Sequence, residues 1–133
     1  YDGDAIELFI DTGPDTAIDT TTYTAHTYQL LLGMPTEKFP ELLKTKGGQS
    51  GKGLAIEAVK AATTRKDAGY DLELAIPWKS LDGFQPKPGS VIGFDVAVDD
   101  GDKNAEGRAF QLTWAGEGDN WKSRAHLGRL MLK

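Results

Sequence analysis

The residue of this sequence best placed to do chemistry is a tryptophan in polar company. Trp121 stands in Gly116-Glu117-Gly118-Asp119-Asn120-Trp121-Lys122-Ser123-Arg124, a loop of glycines, charges and amides. An indole there has two uses: it folds back onto the core, or it offers its face to a partner. An aromatic face binds the C–H face of a sugar ring, and neighbouring Asp119, Asn120 and Arg124 can hydrogen-bond the hydroxyls. Tyr1 poses the same question at a chain end. Carboxylates come next. Residues 99–107, Asp99-Asp100-Gly101-Asp102-Lys103-Asn104-Ala105-Glu106-Gly107, put oxygen donors at alternate positions. Such a stretch is either a solvated hairpin turn or a loop for a hard cation such as Ca²⁺. It is not an EF-hand, because no helices flank it and the glycine is not at the sixth position. Glu7 shares a strand face with Ala5 and Phe9, where it is either solvated or a polar anchor for a ligand. Paired carboxylates could also hydrolyse glycosides, but nothing in the sequence marks two of them as convergent.

Other chemistries find no support. There is no cysteine, so disulfides, thiolate metal sites and cysteine nucleophiles are excluded. The two histidines, His26 and His126, are far apart in sequence. No serine sits in a Gly-x-Ser-x-Gly elbow. The glycine-rich residues 47–53 lack phosphate-loop spacing. Fifteen basic against 20 acidic residues give a net charge of −5, which argues against nucleic acid. No apolar run is long enough to span a bilayer. The 133 residues and 14.4 kDa are one domain, with a core that needs no staple. A start at Tyr1, without methionine or signal peptide, reads as a processed or cut piece of a longer chain.

Period-two alternation runs through the chain, the mark of strands with one buried face. In residues 4–10, Ile6, Leu8 and Ile10 share a face. Residues 23–32 form a second strand, with Tyr28, Leu30 and Leu32 on one side and Gln29 on the other. Residues 36–44 suit a short helix weakened by Pro40, and 46–53 a loop. Residues 54–64 and 70–76 read as a strand pair turned at Asp67-Ala68-Gly69. Pro77 stops the second strand, and Trp78 begins one helical turn. Strands at 91–98, 110–114 and 127–132 complete about seven strands, an all-β antiparallel sandwich; a barrel fits the same alternation. Trp78 and Trp114 are expected in the core.

Four stretches, in order, resemble carbohydrate-binding module family 9, β-sandwich modules attached to xylanases and related secreted enzymes. They are Asp4-Ala5-Ile6-Glu7-Leu8-Phe9-Ile10-Asp11, Gly69-Tyr70-Asp71-Leu72-Glu73-Leu74-Ala75-Ile76-Pro77-Trp78, Ile92-Gly93-Phe94-Asp95-Val96-Ala97-Val98-Asp99-Asp100, and Asn120-Trp121 with Leu127-Gly128-Arg129-Leu130. The resemblance implies a jelly-roll-like sandwich over residues 1–133 and a slot in which two rings clasp a terminal sugar. The rings fall on Trp121 and on Tyr1, where the family has tryptophan. Glu7 matches the family's strand glutamate, an acceptor for sugar hydroxyls. Gln29 stands near a family arginine, and Asp119 and Asn120 precede the second ring. Structural Ca²⁺ is implied too, with Asp99, Asp100 and Asp102 as the candidate ligands. The resemblance also implies further strands ahead of the position of Asp4; they are not in this sequence, so a fragment, or strands supplied by a partner, is expected.

The expected function is a secreted, non-catalytic module of a multidomain glycoside hydrolase. It would bind glucan or xylan oligosaccharides, or the chain ends of cellulose and xylan. The competing readings are a sugar-free sensing or protein-interaction sandwich, favoured by Tyr1 and Gln29, and a carboxylate-pair glycosidase.

Overall fold

The structure, a computed structural model, describes residues 4–13, 22–33, 41–48, 51–101 and 108–133. Among the described residues eight strands form in order: β1 (Ala5–Asp11), β2 (Thr27–Gly33), β3 (Glu41–Gly47), β4 (Lys60–Lys66), β5 (Gly69–Ala75), β6 (Val91–Asp100), β7 (Phe110–Thr113) and β8 (Gly128–Met131). The first sheet has six strands in the order β3-β2-β1-β6-β7, with β8 also paired to β6. Long β6 carries two partners on one edge: residues 97–100 pair with β7 and residues 91–94 with β8. The hairpin β4–β5 forms the second layer. Every ladder is antiparallel. The fold is the expected all-β sandwich, and among the described residues its helical content is two short 3-10 turns, Ile56–Ala58 and Trp78–Ser80.

Alternation divides the large sheet into two unlike faces. Leu8, Ile10, Tyr28, Leu30 and Leu32 point to one side and bury against Leu54 and Leu81, with Leu74, Ile76 and Phe84 packed around them. This face is the core, driven by removal of apolar surface from water. Its far end is open. Val98, Leu112 and Trp114 remain 40%, 62% and 60% exposed. Trp114 therefore lies on the surface, edge-on to Phe94 at 6.2 Å, and not in the core as expected. Trp78 is exposed as well, tilted against Phe84 at 5.6 Å. Both tryptophans share the core-facing side, but the second layer covers only part of the sheet.

Three expectations about local structure fail, two of them because cross-strand pairing in β3 outweighs local propensity. Residues 41–44, expected in a helix, lie in β3 and pair with β2; residues 36–40 lie outside the described residues. β3 also takes in residues 46 and 47 of the expected loop. It ends at Gly47, whose φ of +103° leaves no room for a side chain: a Cβ there would stand 1.9 Å from the Thr27 carbonyl oxygen. The strand expected from residue 54 instead begins at Lys60, after the first 3-10 turn.

Candidate functional site

The other face of the large sheet mixes buried polar side chains with a small apolar cluster of Phe9, Ala97 and Leu127. Across β2, β1, β6 and β7 it presents three rows. The first is Gln29, Phe9 and Asp95; the second is Leu31, Glu7, Ala97 and Thr113; the third is Gly33, Ala5, Asp99 and Gln111. Lys46 of β3 extends the first row, opposite Gln29. Sequence alternation puts these residues on one face, but only the strand order makes them neighbours.

Glu7 and Asp99 are the centre of this face, 6% and 2% exposed. Gln29 Nε2 donates to Glu7 Oε2 at 2.6 Å. Gln111 Nε2 and Arg108 Nη1 donate to Asp99 Oδ1 at 2.8 and 2.9 Å. Arg108 Nη1 also lies 3.6 Å from Glu7 Oε1. Burial pushes the Glu7 carboxyl up to about 7, and hydrogen bonding and repulsion from Asp99 push the same way; Gln29 and Arg108 act against them. Asp99 Oδ2 is buried without a hydrogen-bond partner.

The raised pKa of Glu7 has a measurable consequence. A carboxyl whose folded pKa lies above its ordinary 4.5 binds its proton more tightly when folded. Its contribution to stability is therefore full below about pH 4.5 and lost as the pH rises through about 7. Glu7→Gln removes the titration and keeps the shape. Thermal unfolding across that window should show the wild type losing Tm relative to Glu7→Gln as the pH rises. Parallel profiles would contradict a protonated Glu7.

The loop carrying Trp121 is bound to this face by a third buried carboxylate. Asp95 is fully buried. Its Oδ1 accepts from the Val96 and Ala115 amides, and its Oδ2 from the Gly116 amide at 2.7 Å and Asn120 Nδ2 at 2.5 Å. Gly116 is required by proximity, since a Cβ there would stand 2.5 Å from Asp95 Oδ2. The Tyr23 hydroxyl donates to the Asn120 carbonyl at 2.7 Å, and burial, more than the Glu7 and Asp11 charges, pushes that phenol well above its ordinary value. Arg124 pairs with Asp11, both nearly inaccessible to water. Thr22 and Ser123 form a bridge. On this anchored loop Trp121 is 52% exposed, so it does not fold back onto the core. Lys46 Nζ donates to the Trp121 carbonyl at 2.7 Å, which leaves one lysine side chain between the ring and Gln29.

The expected site residues separate into three groups. Glu7, Gln29 and Trp121 come together as a polar floor and an aromatic wall. Asn120 and Arg124, expected to meet hydroxyls, each have a buried carboxylate partner: Asn120 donates its amide to Asp95, and Arg124 pairs with Asp11. They hold the loop. Asp119 joins Glu117 and His126, with ligating atoms within 4.8 Å of one another. Tyr1 lies outside the described residues.

Of the three expected Ca²⁺ ligands, the two that are described do not converge. Asp99 and Asp100 are consecutive in β6, one buried among the floor residues and the other exposed on the opposite face, and Asp102 lies outside the described residues. Glu117, Asp119 and His126 offer an imidazole beside two carboxylates, unlike the all-oxygen shell Ca²⁺ prefers. Sequence reasoning missed Lys46, Asp95, Arg108 and Gln111. For Asp95 and Asp99 a signal existed: they flank Ala97 at alternate positions inside an apolar strand, where a carboxylate persists only with partners. For the others it lay in the register.

Comparison with known proteins gives concordant results. A family profile described as "Carbohydrate family 9 binding domain-like" matches residues 1–133. Endo-1,4-beta-xylanase A of Thermoanaerobacterium saccharolyticum is 31% identical over 99% of this chain and 10% of its own length. Exoglucanase XynX of Acetivibrio thermocellus is 30% identical over 99% of this chain and 11% of its own. The chain thus spans about a tenth of these relatives. A family 9 carbohydrate-binding module from Caldicellulosiruptor kristjanssonii, solved with cellotriose, superposes with a TM-score of 0.74 at 21% identity. That match covers 98% of this chain and 57% of the solved one. A second such structure, in complex with glucose, gives 0.72.

Proposed function

The chain belongs to the carbohydrate family 9 binding domain-like family, and from that membership we propose that it binds β-glucan and xylan oligosaccharides, or the ends of their chains, without cleaving them. One observation carries the reading: a half-exposed indole, Trp121, stands one side chain from a floor of amide and carboxyl groups on Glu7, Gln29, Asp99 and Gln111. A pyranose has the matching anatomy, an apolar face for the ring and hydroxyls around its rim for the floor. The relatives support the polymer class, being a xylanase and an exoglucanase, and the solved modules bind cellotriose and glucose. We place the module in a larger secreted glycoside hydrolase, because cellulose and xylan are polymers met outside the cell. No helix among the described residues is long and apolar enough to cross a membrane.

Calorimetric titration with glucose, cellotriose and xylotriose tests the proposal. Saturable one-to-one binding of at least one, with no sugar released from polymeric xylan or cellulose, is the expected result. Absence of binding to all three, alongside capture of a protein partner, would favour the sugar-free interaction sandwich.

A further inference from the structure

Lys46 contacts more of the Trp121 wall than a surface lysine needs to. Its ammonium lies 4.9 Å from the centroid of the Tyr23 ring and 5.6 Å from that of Trp121, while donating to the Trp121 carbonyl at 2.7 Å. Tyr23 in turn donates to the carbonyl of Asn120, the preceding residue. Two side chains from the sheet side of the site therefore hold consecutive carbonyls of the Trp121 turn, and the lysine rests on both rings. Cation–π attraction and a charge-assisted hydrogen bond act together there. The register makes this reach possible, because Lys46 stands beside Gln29 on the edge strand β3. The Asp95 anchor fixes the base of the loop at residues 115, 116 and 120; Lys46 acts at Trp121 itself.

We propose that Lys46 is the positioning residue of the binding site, tying the Trp121 ring to edge strand β3 at the height where it meets a sugar on the polar floor. The inference rests on the sugar-binding reading above. It differs from a general effect of positive charge on the ring, for which the molecule supplies a control. Lys122 also places its ammonium 5.6 Å from the Trp121 centroid. It is exposed and belongs to the same turn as Trp121, so it moves with the ring and cannot tie it to the sheet.

The experiment labels the protein with 5-fluorotryptophan and reads the Trp121 fluorine resonance, assigned by its loss in Trp121→Phe. Cellotriose affinity is measured by calorimetry on the same variants. Lys46→Met should shift and broaden the Trp121 resonance without sugar, leave the Trp78 and Trp114 resonances in place, and weaken cellotriose binding about tenfold. Lys46→Arg, which keeps charge and donors, should restore both readouts to within about threefold in affinity. Lys122→Met should stay within about twofold of wild type. Lys46→Gln replaces Lys46→Met if the latter does not fold. An unchanged Trp121 resonance in the neutral Lys46 variant, or equal losses in Lys46→Met and Lys122→Met, overturns the proposal. If the wild type binds no sugar, the functional reading fails, and the sugar-free fluorine spectrum still decides whether Lys46 positions the ring.

Discussion

Trp121→Ala is expected to cost about 2–4 kcal/mol of sugar binding, or roughly thirtyfold to a thousandfold in affinity. The ring is the large exposed aromatic beside the polar floor, and a pyranose has no comparable apolar surface to meet once it is gone. Stability should change little. Trp121 is 52% exposed and its turn is held by Asp95, Asn120 and Tyr23, none of which uses the indole. The expected loss in thermal unfolding is within about 1 kcal/mol. Calorimetry and a melting curve on one preparation separate the two effects. Unchanged affinity would remove the ring from the site, and a collapsed melt would make it a structural residue.

Asp95→Ala should do the reverse, acting first on the fold. The wild-type carboxylate is fully buried and accepts four hydrogen bonds, from three backbone amides and the Asn120 side chain. Removing it strands those donors away from water. The expected penalty is about 3–5 kcal/mol, the size seen when one partner of a buried charged network is deleted. For a domain of this size that lowers Tm by on the order of 10–20 °C. Sugar binding should fall too, because Asp95 seats the loop that presents Trp121. A Tm within about 2 °C of wild type would show that the loop does not depend on this anchor.

The contrast between Trp121 and Asp95 shows how far the sequence is readable. A tryptophan among glycines and charges is locally anomalous, so it stands out without any structure. The strand faces are legible for a similar reason: Ile6, Leu8 and Ile10 alternate with Ala5, Glu7 and Phe9, and a period of two has one geometric meaning. The roles of Asn120 and Arg124 are not legible. Both sit beside Trp121 and carry the donors a sugar would want, yet their partners, Asp95 and Asp11, are far away in sequence. Gln111 and Lys46 enter the site only because β7 lies beside β6 and β3 beside β2. Likewise Asp99 reads as a cation ligand beside Asp100. Extension of β6 through Asp100 separates the two onto opposite faces and hands Asp99 to Arg108 and Gln111. Trp114 shows the converse case. Its alternation correctly names the face, but burial depends on a second layer that does not reach it.

The central claim is that sugar lies against Trp121 and the floor of Glu7, Gln29, Asp99 and Gln111. Its most direct test is a titration of ¹⁵N-labelled protein with cellotriose, followed by two-dimensional NMR. The account predicts saturable shifts concentrated on the Trp121 indole N–H and the Gln29 and Gln111 side-chain amides, with the β4–β5 hairpin unmoved. Shifts confined to that hairpin or to the exposed Val98, Leu112 and Trp114 surface would contradict it.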